Sequence, residues 1–274
     1  MTDGNVLFRD GYPRSNTYDA QWVLENQMGP NALWMLERLA DSLQLTEGMK
    51  VLDLGCGKGI TSIFLAREYQ VQVWAADLWI GPDHNFRRAE EAGVASLVHP
   101  LRAEAHALPF PRHFFDAVVS IDAYQYFGTD ILYLSYLARF IRPGGQIGIV
   151  VPALMQPIEQ VPDHLTQPQD NGKVFWEDDC WAFKTPQWWT EHWSRCRCVK
   201  DIQCSILPDG WRLWMDFEDI LERTGYGLFP SDAQALRRDH GRYIGFACCT
   251  AKRTAYTPEN LYNPSLGSDS QVDI

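Results

Sequence analysis

The stretch VLDLGCGKGI at positions 51–60 has the residue types and spacing of a ligand-binding loop. It opens with an apolar run that contains Asp53, and glycines follow at alternate positions, at Gly55, Gly57 and Gly59. Glycine is favoured where the backbone needs a positive φ or where a ligand must approach without a Cβ in the way. A helical pattern comes next, and the free N–H groups of a helix start face such a loop. The stretch predicts a buried strand, a tight binding turn and a helix.

The acid ahead of the glycines narrows the choice of ligand. The dinucleotide fingerprint is G-x-G-x-x-G, whereas this loop reads D-x-G-x-G-x-G. Asp53 at that point would repel a pyrophosphate and attract a cationic or amino-bearing group. We therefore expect Asp53, the three glycines and the intervening Cys56 to bind something other than a dinucleotide, which argues against an NAD(P)-dependent reductase.

The composition allows a full hydrophobic core. The chain has 274 residues, of which 46% are hydrophobic and 22% are charged, enough for one domain of roughly 200–250 residues with appendages. The net charge is -11, whereas a surface that tracks phosphates needs the opposite sign. We therefore expect no nucleic-acid partner.

The cysteines do not form a metal or disulfide framework in the sequence. There are seven, an odd number, and the close pairs are Cys196 with Cys198 and Cys248 with Cys249. Neither pair has the C-x₂-C spacing of zinc sites. We expect no metal and reduced thiols, as in a cytoplasmic protein. The sequence also lacks a secretory pattern at its start and a run of about 18 apolar residues, so we expect no membrane span.

Strand and helix patterns alternate from position 50 onward, which predicts an α/β fold with a mostly parallel sheet covered on both faces. The predicted strands are 50–54, 71–76, 97–101, 115–120 and 146–151. The predicted helices in this part are 59–69, 83–92 and 130–140.

The ligands of an open α/β sheet bind beyond the carboxyl ends of the strands, near the point where strand order reverses. The loops that should form the site follow the strand ends at Leu54, Ala76, Leu101 and Ile121. Asp77 comes directly after the second of these, where a carboxylate can accept hydrogen bonds from both hydroxyls of a ribose. Since NAD enzymes place an acid similarly, Asp77 does not by itself distinguish the two cofactors.

The third of these loops, AEAHALPF at 103–110, resembles the segment G-D-A-x-x-L-P-F of class I S-adenosylmethionine (SAM) methyltransferases. The glycine loop resembles the first motif of the same family, and the stretches at 114–116 and 142–145 also match it. The resemblance covers residues 50–151. It is to the small-molecule type, known as methyltransferase type 11, which includes enzymes of ubiquinone and menaquinone biosynthesis.

The resemblance implies SAM as the cofactor and assigns contacts to it. The glycine loop would cradle the methionine and ribose portions, and an acid with the next backbone N–H would read the adenine. The implied contacts outside the glycine loop are Asp77, Leu78, Glu104, Ala105 and Ile121. Here Glu104 stands where the family has aspartate, and Ala103 replaces a glycine, which is a departure from the pattern at the adenine contact.

The resemblance also implies the rest of the architecture: a Rossmann-like, seven-stranded, mostly parallel sheet with an antiparallel last strand and a substrate-side insertion after strand 5. The candidates for strands 6 and 7 are 199–207 and 242–252. We divide the chain accordingly into an N-terminal lid with helices (1–49), the SAM-binding core (50–151), the specificity insertion with the last strands (152–252) and a disordered tail (253–274).

Residues after the fourth strand would lie beside the reacting methyl group. Tyr124 or Tyr126 would orient the substrate, while Asp122 or a histidine such as His106 would accept a proton. Packing of the following helix is the alternative explanation for the two tyrosines. Methyl transfer requires mainly alignment and exclusion of water, so a base is needed only for a nucleophile of high pKa.

Aromatic residues provide the candidate substrate pocket. Seven of the eleven tryptophans lie between Trp176 and Trp214. Trp188, Trp189 and Trp193 have helical spacing, which favours core packing. The predicted substrate contacts are Trp176, Trp181, Trp211 and Trp214, with Tyr18 and Trp22 from an N-terminal segment that either forms a lid or only packs.

The sequence thus predicts methyl transfer from SAM to an N, O or S atom of a small molecule, in a chain that could form a homodimer. Two alternatives stay open: a SAM-binding protein without transferase activity, and SAM-dependent alkylation of carbon of the cyclopropanation type.

Overall fold

A single sheet of seven strands organises the chain in this computed structural model, which describes residues 5–262. The strands are β1 (Lys50–Leu54), β2 (Gln72–Asp77), β3 (Val98–Arg102), β4 (Phe115–Ile121), β5 (Ile141–Leu154), β6 (Val199–Ile206) and β7 (Ile244–Arg253).

The strand order is β3-β2-β1-β4-β5-β7-β6. Strands β1 to β5 pair in parallel, whereas β7 runs antiparallel to both β5 and β6. The predicted sheet with an antiparallel last strand is confirmed. Since β1 lies between β2 and β4, the strand order reverses beside β1, directly below the glycine loop.

The fifth strand begins earlier than predicted. Ile141 pairs with Phe115 and Gln146 pairs with Ala117, so the intervening residues 142–145 form a bulge within β5. Gly144 has a φ of +80° there. The expected turn is therefore present, but it interrupts the strand instead of preceding it.

The helices cover both faces of the sheet, as predicted. They are α1 (Ala20–Asn26), α2 (Ala32–Ala40), α3 (Ile60–Tyr69), α4 (Pro82–Glu91), α5 (Tyr133–Leu137), α6 (Asp163–Thr166), α7 (Pro186–Ser194), α8 (Gly210–Thr224) and α9 (Ala233–Asp239). Short 3-10 helices occur at Ser15–Thr17, Tyr124–Tyr126 and Asp178–Ala182. The helix predicted at 130–140 is reduced to α5.

Alternate side chains of the strands enter two separate cores. Val51 of β1 belongs to the core that includes residues of α2, α3 and α8, whereas Leu52 belongs to the core that includes residues of α5 and α7. Trp189 and Trp193 of α7 are fully buried in the second core, which confirms their interpretation as packing residues. This two-sided burial explains why the strands read as nearly continuous apolar runs.

Two of the cysteines are paired, contrary to the prediction of reduced thiols. Cys196 and Cys198 form a disulfide between α7 and β6, where the turn brings their Cα atoms to 5.4 Å, within the normal range for a disulfide. Among the described residues the other cysteines are free: Cys56, Cys180, Cys204, Cys248 and Cys249.

The predicted disordered tail is wrong for residues 253–262. The guanidinium of Arg253, which is 1% exposed, donates to the carbonyl of Ala138 at 2.6 Å. Tyr262 donates its hydroxyl to the carboxylate of Asp130. These contacts attach the segment to the α5 side of the sheet. The rest of the predicted tail, 263–274, lies outside the described residues.

Within the described range, 5–262, no helix combines the length and the apolar composition required to cross a lipid bilayer.

Candidate functional site

A cavity of about 390 Å³ opens at the carboxyl edge of the sheet, where the strand order reverses. It is lined by the ends of β1, β2 and β4 with the loops that follow them, by the loop after β3 and by the turn between α1 and α2. Of the predicted cofactor residues, those that line it are Gly55, Cys56, Gly57, Asp77, Leu78, Glu104, Ala105 and Ile121. Loops that are far apart in the sequence therefore meet at the carboxyl ends of the strands, as expected for an open α/β sheet.

The glycine loop leaves no room for side chains. A Cβ on Gly55, whose φ is +76°, would lie 2.4 Å from the Cβ of Ala123, and a Cβ on Gly57, at φ +53°, would lie 2.9 Å from the Sδ of Met28. Both positions combine a left-handed backbone with close neighbours, so glycine is required on two counts. The loop is thus a cradle of bare backbone along one wall of the cavity.

Asp53 and Gly59, two of the predicted cofactor contacts, do not line the cavity. The Asp53 carboxylate is 1% exposed and accepts the hydroxyls of Thr61 and Ser62, each at 2.6 Å. Burial raises its pKa to about 6, although both hydrogen bonds act in the opposite direction. Gly59 takes a φ of +78° where α3 begins. Asp53 links β1 to the first turn of α3, and Gly59 provides the backbone conformation at which α3 begins. Both residues thereby help to position the loop between them.

Asp77 lines the cavity and also shapes it. Its Oδ2 accepts the N–H of Gly57 at 2.9 Å, while Oδ1 accepts those of Trp79 and Ile80 at 2.8 and 2.9 Å. A carboxylate offers about four acceptor positions, so roughly one remains, on Oδ2. The residue acts both as the cap of its own turn and as an acceptor available to the cavity.

Asp122 follows β4 and also lines the cavity. Its φ is +53°, and its N–H donates to the carbonyl of Val150 at 2.8 Å. Burial raises the pKa of Asp122 to about 7; the charge of Asp179 adds to this, while a hydrogen bond from Gln125 opposes it. Tyr126 lines the cavity as well, and burial together with the charges of Asp122 and Asp179 raises its pKa to about 12.

Comparison with known proteins identifies the part of the chain that builds this cavity. The family model described as a methyltransferase domain matches residues 51–145. Residues 51–145 are a class I SAM-dependent methyltransferase domain. The recognition made from the motifs is thereby confirmed.

Curated relatives of this methyltransferase domain act on different molecules, by their names. A fatty-acid O-methyltransferase of Mycolicibacterium smegmatis is 33% identical over 101 residues, which cover 36% of this chain and 35% of that protein. A 27-O-demethylrifamycin SV methyltransferase of Amycolatopsis mediterranei is 30% identical over 136 residues, covering 49% and 50%. The chain thus spans no more than half the length of these relatives.

Among solved structures, the geranyl diphosphate C-methyltransferase of Streptomyces coelicolor A3(2), crystallised with S-adenosyl-L-homocysteine, superposes with a TM-score of 0.61. The identity is 17%, and the match covers 81% of this chain and 79% of that one. At this identity the likeness shows a shared fold, which extends beyond the methyltransferase domain into the second half of the chain.

Two residues of the predicted adenine loop in the methyltransferase domain, Glu104 and His106, contact each other. Glu104 accepts the backbone N–H of His106 and contacts its ring Nδ1, both at 2.8 Å. The His106 ring packs edge-on against Tyr133 and Tyr262. His106, predicted as a candidate base, does not line the cavity.

Tyr124 does not line the cavity either. It is fully buried, and its ring packs against Trp189 and Trp193, with centroids at 5.8 and 6.0 Å. Its hydroxyl has no hydrogen-bond partner among residues 5–262. The alternative explanation, packing, therefore applies to Tyr124, whereas Tyr126 is at the cavity.

None of the predicted substrate residues lines the cavity. Tyr18 stacks on Phe64 and donates to Glu68, and Trp22 faces a surface groove with α4. Trp214 is a core residue, packed on Phe246. The other three also pack against protein: Trp211 lies against Gly241 and His240, and Trp176 and Trp181 pack on each other.

Several cavity residues were not predicted: Asn26, Met28, Lys58, Trp79 and Phe127. Lys58 and Trp79 are in or beside predicted loops, so the strand-end rule could have included them. Asn26 and Met28 carry no such signal, because their position depends on how α1 docks.

The turn between α1 and α2 is held down over the glycine loop. Lys58 donates from Nζ to the carbonyl of Glu25 at 2.9 Å, and Arg88 donates from Nε to Oδ1 of Asn26 at 2.6 Å. A Cβ on Gly29 would lie 2.8 Å from Oδ2 of Asp122. The turn therefore spans the cavity from the glycine loop to Asp122.

In residues 5–262 no cluster of three or more His, Cys, Asp or Glu side chains has the geometry to hold a metal ion.

Proposed function

We propose that the chain is an enzyme that transfers a methyl group from SAM to a small molecule inside this cavity. The observation that carries the proposal is the continuity of one cavity from the bare glycine loop to Asp122 and Tyr126. The glycine loop and Asp77 suit a nucleoside, and Asp122 and Tyr126 supply polar groups for an acceptor.

The residues present fit SAM. Gly55 and Gly57 line the cavity with bare backbone, which would adjoin its amino-acid and ribose portions. The open acceptor position on Asp77 Oδ2 suits a ribose hydroxyl, and Leu78, Glu104 and Ala105 would adjoin the adenine. When bound, SAM supplies an electrophilic methyl group on a sulfonium.

The chain's own contribution is alignment and exclusion of water. The turn between α1 and α2 covers the cavity and would act as the lid. Asp122, with its pKa raised by burial to about 7, is suited to accept a proton near neutral pH. Tyr126, which also lines the cavity, would orient the acceptor. The domain division made from the sequence, a cytoplasmic location and a possible homodimer remain part of this proposal.

Calorimetric titration with S-adenosylhomocysteine tests the cofactor assignment. We expect binding that Asp77→Asn weakens by roughly tenfold or more, the loss of one charge-assisted hydrogen bond. Asp116→Asn is the matched control, because Asp116 also accepts a backbone N–H, from Lys50 at 2.6 Å, but at the opposite edge of the sheet. Absence of binding to the folded wild-type chain, or equal effects of both variants, would refute the assignment.

A further inference from the structure

The predicted adenine loop, residues 103–110, is an irregular segment between β3 and β4. Two of its residues, Glu104 and Ala105, line the cavity. An irregular loop presents such residues in a fixed geometry only where other parts of the chain hold it, because ordering a loose loop on binding costs affinity. The contacts behind this loop therefore decide how well its cavity residues are positioned.

Two tyrosines of α5 hold the loop through its backbone. The hydroxyl of Tyr133 donates to the carbonyl of Ala105 at 3.1 Å, and the hydroxyl of Tyr136 accepts the N–H of Leu108 at 2.7 Å. Both tyrosines are buried in the second core. These bonds fix two points of the loop's main chain, whereas the side chain of Glu104 is oriented by another residue.

That residue is His106. The two carboxylate oxygens of Glu104 contact the backbone N–H and the ring Nδ1 of His106, both at 2.8 Å. The His106 ring in turn contacts the rings of Tyr133 and Tyr262, with centroids at 5.1 and 5.2 Å and interplanar angles of 72° and 83°. Edge-on aromatic pairs of this kind are attractive and have a preferred geometry. The orientation of Glu104 thus depends on both tyrosines.

Tyr262 reaches the loop from the last described position of the chain. Its ring also packs edge-on against Tyr136, with centroids at 5.4 Å, and its hydroxyl donates to the carboxylate of Asp130. The segment that leads to it is attached to the fold, because the N–H of Thr254 donates to the carbonyl of Cys198 at 2.8 Å. Tyr262 therefore links an attached C-terminal segment to the predicted adenine loop.

We propose that Tyr262 is a positioning residue for the cofactor: by holding the ring of His106, it fixes Glu104 for recognition of the adenine base. This inference rests on the proposed function and adds to its site a residue that lies outside the cavity. The aromatic ring carries the effect, because the hydroxyl bonds to Asp130 at the surface, where water competes for the same hydrogen bond.

Discrimination between two bases, measured by calorimetric titration, tests the inference. The probe is S-inosylhomocysteine, whose hypoxanthine presents a carbonyl oxygen and a ring N–H where adenine presents an amino group and a bare ring nitrogen. Glu104 and the backbone N–H of Ala105 would suit the adenine, so the wild-type chain should bind S-adenosylhomocysteine at least about tenfold more tightly than this analogue. A smaller preference would overturn the inference.

Variants identify the contribution of Tyr262. Tyr262→Ala should reduce the preference for adenine at least about threefold, because His106 loses one of its ring contacts. Tyr262→Phe keeps the ring and should retain the wild-type preference within about twofold. Tyr256→Ala is the matched control, since Tyr256 belongs to the same segment but its ring packs on Arg197, with the guanidinium carbon 4.5 Å from the centroid. It should leave the preference unchanged.

The preference distinguishes positioning from a merely structural role. If Tyr262 only stabilised the fold, Tyr262→Ala would lower the unfolding midpoint and leave the preference of the folded protein unchanged, which would overturn the inference. An equal reduction in Tyr256→Ala would overturn it too. Should Tyr262→Ala not fold, Tyr262→Leu gives the same test, and an unchanged preference there would be equally decisive. Failure of S-adenosylhomocysteine to bind the folded wild-type chain would refute the proposed function, which is a different outcome.

Discussion

Residues 50–151 and residues 152–252 both contain conspicuous side chains, but the two regions use them differently. In the first region, polar residues after β1, β2 and β4 converge on one cavity. In the second, tryptophans such as Trp189, Trp193 and Trp214 are buried in the two cores. Residues chosen because they follow the strand ends therefore include many that line the cavity, whereas the tryptophans chosen for their residue type do not line it.

The physical reason is that the sheet fixes where residues after the strand ends lie, but it does not fix where a tryptophan is buried. The strand ends of a parallel sheet all face one edge, so residues that follow them must meet. A tryptophan gains most free energy by burying its large apolar surface, and it can do so anywhere in the core. Clustering in sequence therefore carries no information about a pocket.

The largest effect that this comparison predicts is on stability. Trp189→Ala should lower the free energy of unfolding by about 3–5 kcal/mol because it empties a fully buried site. Trp181→Ala should lower it by less than about 1 kcal/mol, since Trp181 is 62% exposed. Urea unfolding measures both. S-adenosylhomocysteine affinity should be unchanged in each folded variant, and a specific loss of affinity in either would restore tryptophan to the site.

The next effect concerns the glycine loop. Gly55→Ala should weaken S-adenosylhomocysteine binding about 100-fold or more, because the new methyl group would meet Ala123 and the backbone would be strained. Gly93→Ala is the control: Gly93 has a similar φ of +72°, but no atom lies within 4 Å of its Cβ position. It should lose only stability, by about 1–2 kcal/mol. Normal affinity in Gly55→Ala would contradict the cradle.

The smallest effect separates the two tyrosine environments near the site. Tyr124→Phe should leave the free energy of unfolding unchanged or raise it by up to about 1 kcal/mol, because its buried hydroxyl has no partner among the described residues. Tyr133→Phe should lower it by about 1 kcal/mol, since that hydroxyl donates to the carbonyl of Ala105 at 3.1 Å. Denaturant titration compares them. A clear loss of stability in Tyr124→Phe would mean that its hydroxyl is bonded.

The sequence predicted the sheet and the loops that line much of the cavity, because both depend on local pattern and on a general rule of α/β topology. It placed Asp53 and His106 among the site residues, although neither lines the cavity. Both are polar residues in matching motifs, yet Asp53 is bonded from below by Thr61 and Ser62, and His106 is engaged by Glu104.

The remaining gaps have a tertiary origin. Met28 reaches the glycine loop, and Tyr262 reaches Asp130, through docking of segments that are distant in sequence. The contact between the short helices Tyr124–Tyr126 and Asp178–Ala182 also required the structure, because it forms only after the insertion has folded back on the loop after β4. No periodicity or spacing encodes such contacts.

A crystal structure of the full chain with S-adenosylhomocysteine tests the central claim most directly. The account predicts the ribose within hydrogen-bonding distance of Asp77 Oδ2, the homocysteine chain along Gly55 and Gly57, and the sulfur facing Asp122. A structure with the nucleoside bound elsewhere, or with the cavity filled by side chains such as Met28 at saturating ligand, would contradict it.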